Sequence, residues 1–284
     1  MEYTDKELYL TVKDFSVSGE TFELYHNLKL DLLVTLPQPD PSQLPKYYES
    51  DDYISHTDGK RSLFEKAYHF VKEMALRKKV KMINFQQVGK GRLLDIGAGT
   101  GDFLLSAKEN GWAITGYEPS EKARKIAIEK GVSFIDRTEN LPDQSFDVIT
   151  MWHVLEHVSD VESQITELKR LLKSNGTIFI AVPNFKSYDA QHYGKFWAAF
   201  DVPRHLFHFS KTAIKLLFNK AEIDLIKIIP MKFDAFYVSL LSEKYKTGSM
   251  NYLVAFFTGW KSNAKAGRSK EYSSHIYVLK NAKN

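Results

Sequence analysis

The sequence predicts an α/β protein built on a doubly wound, mostly parallel sheet of seven strands, with a small β-rich extension at the N-terminus. Three observations predict it. From residue 92 onward, short apolar runs alternate with amphipathic stretches ("RLLDIG", "DFLLSAKEN", "WAITGYE", "EKARKIAIEK"), the rhythm of a parallel sheet covered on both faces. A glycine-rich turn, "GAGTG", joins the first of these strands to its helix. Four of the nine prolines fall between Pro37 and Pro45. They mark a junction between an extension over 1–45 and a main domain over 46–284.

Taken in order, the first 36 residues alternate weakly and predict two or three short strands around a turn at Ser18 and Gly19. The proline stretch "PQPDPSQLP" predicts an extended connector. From Lys60 to about Phe85, Leu63, Ala67, Phe70 and Met74 recur at spacings of three and four, as on one face of a helix. The main domain then supplies the strands "RLLDIG", "WAITGYE", "VSFID", "FDVITM", "TIFIAV", "DLIKIIPM" and "HIYVLKN". Helices stopped by Gly111 and Gly131 separate the first three, and Ser159 with Glu162 forms a capping box for a helix whose Ile165, Leu168 and Leu172 face inward. "KSNG" closes that helix, and "FDAFYVSLLSEKY" and "NYLVAFFTGW" are apolar helical stretches near the C-terminus.

Composition narrows the function. A chain of 284 residues with 43% hydrophobic content has a real core. No run approaches the roughly 20 apolar residues of a membrane span, and "MEYTDKELYL" lacks the pattern of a signal peptide, so a cytoplasmic protein is expected. Zero cysteines excludes disulfides and thiolate metal sites, and no metal is expected. A net charge of +4 does not call for nucleic acid; the basic runs "RKKVK" and Lys261 to Lys270 are expected to be solvated faces.

The glycine loop carries the chemistry. Gly97, Gly99 and Gly101, with Ala98 between them, let the backbone approach a ligand closely. Dinucleotide sites space their glycines G-x-G-x-x-G; here the third comes one residue early and Asp102 follows it. Asp95 at the mouth of the loop repels a pyrophosphate and attracts an ammonium group, while Glu118, ending the second strand, can accept both hydroxyls of a ribose. Ammonium, ribose and no phosphate together describe S-adenosylmethionine. A helix cap and a surface turn are the bland alternatives for the two carboxylates.

"LLDIGAGTGDFL", "GYEPS", "LPDQSFDVITMWHVLEHVSD" and "LKSNGTIFIAVPN" together resemble the successive motifs of the class I S-adenosylmethionine-dependent methyltransferases, in particular the ubiquinone-biosynthesis O-methyltransferase-like branch. The resemblance covers roughly Gly89 to Phe209. It implies a Rossmann-like sheet, a methionine-binding loop from Asp95 to Gly101, Glu118 and Pro119 at the ribose, and Asp136, Thr138 and Glu139 beside the adenine. It also implies a small-molecule acceptor methylated on oxygen, with nitrogen or carbon methylation of a sugar or lipid-like substrate, or cofactor binding without catalysis, as alternatives.

"MWHVLEHVSD" also matches H-x-x-E-H, the inverted zincin signature, through His153, Glu156 and His157. Zinc needs a third ligand that the sequence does not single out, and in the methyltransferase pattern the run follows the fourth strand, so the match is an accident of His at 153. Trp152 and His153 can then reach the ligand crevice. Downstream, "YGKFWAAFDVPRHLFHFS" joins aromatic rings to Arg204, His205 and His208. An aromatic-walled acceptor pocket with His205, His153 or His208 as general base and Arg204 orienting the acceptor is expected; an ion-paired structural loop is the alternative. Phe256, Phe257 and Trp260 suit a lipid-like substrate channel, a membrane surface, core or a dimer contact, leaving monomer and homodimer both open. In some relatives the N-terminal segment carries zinc-binding cysteine pairs. Here it would be a degenerate module without metal, with Tyr48, Tyr53 or His56 reaching the cofactor.

Overall fold

The computed structural model describes residues 6–40, 42–48, 63–87 and 89–282, with side chains of the first long helix from residue 73 onward. Two sheets organise them. The larger has six strands in the order β5 (Ala113–Tyr117), β4 (Arg92–Ile96), β6 (Phe146–Trp152), β7 (Leu172–Pro183), β10 (Ser274–Asn281) and β9 (Ile223–Pro230). The first four are parallel, and β10 is antiparallel to both its neighbours.

The seventh strand expected at "VSFID" is reduced to a single bridge between Phe134 and Gly116. Beyond Ile135, whose N–H bonds the Gly116 carbonyl, the chain turns outward into exposed Asp136 and Arg137 and the ladder ends. Strand β7 is correspondingly longer than expected, since "KSNG" belongs to it.

Both faces of the large sheet are buried, so its strands are continuous apolar runs rather than alternating ones. Leu94, Ile96, Ile149, Met151, Ile178 and Ile180 pack to one side, against α4 (Val161–Leu171) and α6 (Lys211–Lys220). Leu93, Val148 and Phe179 pack to the other, against α1 (Leu63–Gln86) and α2 (Asp102–Glu109). Helix α4 buries Val161, Ile165, Leu168 and Leu171, a stripe at spacings of three and four. Its N-cap is Asp160, accepting from the Ser163 N–H, one residue later than the Ser159–Glu162 box expected. Helix α3 (Glu121–Glu129) follows β5, and α7 (Asp234–Thr247) and α8 (Tyr252–Ser269) form a helical hairpin between β9 and β10.

The smaller sheet is antiparallel, in the order β1 (Lys6–Lys13), β2 (Thr21–Asn27), β3 (Leu32–Leu36) and β8 (Phe207–Phe209). Its last strand comes from "LFHFS", some 170 residues away. The apolar face of this sheet needs a cover, and Val12, Phe22, Leu24 and Leu33 find it in Phe185, Tyr193, Trp197 and Phe200 around the short helix α5 (Tyr188–Tyr193). The aromatic residues expected to wall an acceptor pocket are therefore core: Trp197 and Phe200 are each 1% exposed. The proline connector is anchored as well, ending in a 3-10 turn over Leu44–Tyr48 with Tyr47 buried. Tyr53 and His56 lie outside the described residues.

Candidate functional site

The carboxyl ends of β4, β5 and β6 converge on the glycine loop. Gly97, Gly99 and Gly101 all adopt positive φ (72°, 52° and 77°), which a side chain would strain. The first and third are also fixed by packing. A Cβ on Gly97 would meet Val154 at 2.3 Å, and one on Gly101 would meet Val132 and Ala127 at 2.8 and 2.9 Å. A Cβ on Gly99 would meet nothing within 4 Å. Packing does not require glycine there, and its bare backbone faces open space, as a cradle for a ligand does.

The loop is held from below by the Gly97 and Ala98 N–H groups donating to the Tyr117 carbonyl, and from the side by Glu118. The Glu118 carboxylate accepts from Gly99 N–H at 2.8 Å and Ser120 N–H at 2.9 Å, so it stands between the loop and the end of β5. Pro119 is exposed next to it. Asp136 and Glu139 are exposed on the stretch running beside β5, which begins with the Phe134 bridge; Asp136 accepts from Arg124, and the Thr138 carbonyl accepts from Arg170.

Asp95 is 1% exposed and accepts from Thr150 Oγ1 at 2.5 Å. Burial pushes its carboxyl up to about 7, against the opposing pull of Thr150 and of Lys79. Lys79 is a site residue that the sequence did not single out. It lies within the run "RKKVK" assigned to a solvated face, yet from α1 its ammonium stands 4.3 Å from the Trp152 ring centroid and acts electrostatically on both Asp95 and Asp234. Burial lowers its pKa while those two carboxylates raise it. Only one residue of a basic run turns inward in this way, and the one-in-3.6 geometry of a helix that also buries Val80 and Ile83 was the available signal.

His153 is placed by the backbone. It follows the last residue of β6 at φ 57°, a conformation uncommon for a side-chain-bearing residue. Its Nε2 lies 3.4 Å from Asp234 at the first turn of α7, and its Nδ1 lies 3.4 Å from Glu156. Burial lowers the imidazole pKa, but the two carboxylates outweigh it and raise it to about 9. Asp234 was the second residue missed, since nothing in "MKFDAFYV" distinguishes a partner for a residue 81 positions earlier.

The other candidate histidines belong to a different place, the seam between the sheets. His157 Nδ1 is 2.9 Å from the Arg204 carbonyl and 3.0 Å from the Tyr48 hydroxyl, and burial and His205 lower its pKa to about 4. His205 is 8% exposed, with Nδ1 3.0 Å from the Ala199 carbonyl. His208, 4% exposed on β8, reaches Thr35 at 3.2 Å, and burial holds it well below the usual range. Arg204 donates from Nε to Asp201 at 2.9 Å, from Nη1 to the Tyr47 carbonyl at 2.8 Å and from Nη2 to Ser16 at 2.8 Å, and it also pairs with the second Asp201 oxygen. It ties the N-terminal segment to the main domain. Tyr48 meets His157 rather than the loop.

The fold brings two residues of the H-x-x-E-H run together with one from the seam. Ligand atoms of Glu156, His157 and His205 lie within 4.8 Å of one another, a donor set able to hold a divalent cation. The imidazolium of His153 already balances the Glu156 charge: burial raises the Glu156 pKa, and His153 with the neighbouring histidines lowers it overall.

Residues 60–228 match the family described as "Methyltransferase domain". The chain belongs to that family. Among curated proteins, it is 37% identical over 110 residues to a ubiquinone biosynthesis O-methyltransferase of Vibrio atlanticus, and 37% identical over 102 residues to one of Rhizobium leguminosarum. These matches cover 34% and 33% of this chain but only 46% and 40% of the relatives, so the chain spans less than half of their length. Solved methyltransferases share the fold. One from Thermotoga maritima aligns with a TM-score of 0.52 at 22% identity, over 76% of this chain and 93% of that one. Magnesium protoporphyrin IX methyltransferase from Synechocystis, solved with S-adenosylhomocysteine, aligns at 0.57 and 14% identity over 86% and 100%. The methyltransferase cofactor S-adenosylmethionine fits the residues present: an open backbone cradle at Gly99, a buried carboxylate at Asp95 whose charge suits an ammonium, and the Glu118 carboxylate beside Gly99, whose chemistry suits hydroxyl donors.

Proposed function

We propose that the protein is an S-adenosylmethionine-dependent methyltransferase acting on oxygen in a small-molecule acceptor. The observation that carries the proposal is the cradle at Gly99, open to solvent between two buried carboxylates, with His153 at the neighbouring strand end. Bound there, the cofactor supplies an electrophilic methyl group on a sulfonium. Asp95 and the loop hold its amino-acid half, and Glu118 holds the ribose hydroxyls once its bonds to Gly99 and Ser120 are shared or released. The main contribution of the chain is positional, because fixing nucleophile and methyl in line is worth at most about 7 to 11 kcal/mol.

Proton removal falls to His153, the candidate histidine at the crevice rather than in the seam. Asp234 orients its ring, as a carboxylate partner does for a general base. With a pKa of about 9, His153 is mostly imidazolium at neutral pH. Turnover limited by its base form climbs about tenfold per pH unit from 7 until it levels near 9. The N-terminal segment, residues 1–45, acts as a structural wing, consistent with its zipping onto β8 and Arg204. Methylation of nitrogen or carbon on a sugar or lipid-like acceptor is the second reading, favoured by the position of the exposed apolar α7–α8 hairpin beside Asp234.

The test is calorimetry with S-adenosylhomocysteine, followed by incubation of cell extracts with radiolabelled S-adenosylmethionine and enzyme. Saturable cofactor binding and a labelled small molecule support the proposal. Binding of NADH in place of S-adenosylhomocysteine overturns it.

A further inference from the structure

Helix α8 is amphipathic in reverse. Its buried face is made of small residues, Ala255, Thr258, Gly259, Ser262 and Ala266, which lets it approach α7 closely; a Cβ on Gly259 would meet Phe236 at 2.8 Å. Its large side chains point away from the protein. Leu253, Phe256, Phe257 and Trp260, spaced i, i+3, i+4 and i+7, are 73%, 55%, 63% and 61% exposed. Phe233, just before α7, adds a further half-exposed ring. Single exposed apolar residues are ordinary, but a contiguous face of them marks an interaction surface.

Charge identifies the occupant. Between Lys232 and Lys270 the sequence holds seven lysines and arginines and two acidic residues. Neither acid faces outward freely, since Asp234 pairs with His153 and Glu243 is 3% exposed. Lys261 follows Phe257 by four residues and Arg268 follows Lys261 by seven, so cations flank the aromatic stripe. Two copies of this chain joined through the hairpin would bring like charges together. A surface that is apolar at its centre and anionic around it fits instead. No helix among the described residues is long and apolar enough to cross a membrane, so the hairpin would lie on the bilayer rather than span it.

We infer that the α7–α8 hairpin docks the protein on a membrane surface containing anionic phospholipid, with the α8 ring stripe at the headgroup boundary and the flanking lysines and arginines against lipid phosphates. Through the contact of Asp234 with His153, docking sets the crevice close to the bilayer. The inference does not depend on methyl transfer.

The experiment is co-sedimentation of the full chain with vesicles of phosphatidylcholine alone and of phosphatidylcholine with about a third phosphatidylglycerol, at low and high salt. Binding to the mixed vesicles only, weakened by salt, is expected. Phe256→Ser/Phe257→Ser/Trp260→Ser should weaken it by at least about tenfold, and Lys261→Glu/Arg268→Glu should weaken it as well. An unchanged thermal midpoint shows that each variant folds. The inference is overturned by failure to bind either vesicle, by equal binding to both, by undiminished binding of the triple variant, or by sedimentation equilibrium showing a dimer that needs these rings.

Discussion

Two polar clusters, about one turn of chain apart at His153 and His157, show opposite chemistry. At the crevice, Asp95, Lys79 and His153 have pKa values pulled from their ordinary range, Asp234 pairs with His153, and the His153 side chain remains 35% exposed. In the seam, Arg204, Asp201 and His205 spend polar atoms on backbone carbonyls and on each other, and His208 meets the Thr35 hydroxyl. The same residue types thus stand at an open crevice in one place and are taken up by assembly in the other. What separates them is whether the protein itself has already used their hydrogen-bonding capacity.

The largest effect that would sharpen this contrast is in the seam. Arg204→Ala should destabilise the protein by about 3 to 5 kcal/mol, because it leaves Asp201 an uncompensated carboxylate in a largely buried pair. Chemical denaturation measures it, and a variant of wild-type stability but without turnover would move Arg204 into the reaction.

At the crevice, His153→Ala should cut turnover by roughly 10²-fold or more with cofactor affinity nearly unchanged. His205→Ala should change stability rather than turnover per folded molecule. If the two variants behave alike, the division between crevice and seam is wrong. Next in size, Glu118→Ala should weaken S-adenosylhomocysteine binding by about 1.5 to 3 kcal/mol in calorimetry, through lost charge-assisted bonds.

Acid should affect the packed regions through their buried neutral imidazoles. His157 and His275 are held at about 4, below the ordinary 6.5, by burial. Their contribution to stability is complete above about pH 6.5 and is lost as pH falls from there toward 4, since the unfolded chain takes up protons that the folded one refuses. A thermal midpoint that does not fall over that range would show that both rings charge without cost. The smallest expected effect is that of chelation. Dialysis against a chelator should leave the thermal midpoint and cofactor binding unchanged, whereas stoichiometric metal lost in His205→Ala would give the Glu156, His157 and His205 trio a ligand role.

The glycine loop's place at a strand-to-helix turn was legible in the sequence, because its positive φ values favour residues without side chains and the two flanking carboxylates fall at the ends of predicted strands. Helices such as α4 and α8 were legible through spacing, although the α4 cap shifted by a residue, since Asp160 and Ser163 form a cap as good as Ser159 and Glu162. "VSFID" has a strand's composition but lies at the sheet edge, where one bridge suffices, and local pattern does not report the length of a ladder. The segment around Arg204 and His205 was dense in reactive side chains, and that density has the same appearance whether it lines a pocket or seals a seam.

The sequence by itself determined the α/β core, the glycine loop and the two carboxylates at the strand ends beside it, because these depend on residues close together in the chain and on backbone conformations that few residues tolerate. Only the tertiary structure decided that β3 pairs with β8, that Lys79 faces Asp95's crevice, and that Asp234 reaches His153. Each is a contact between segments tens to hundreds of residues apart. Such contacts are fixed by which surfaces remain to be covered once the core has closed, and no local spacing encodes that.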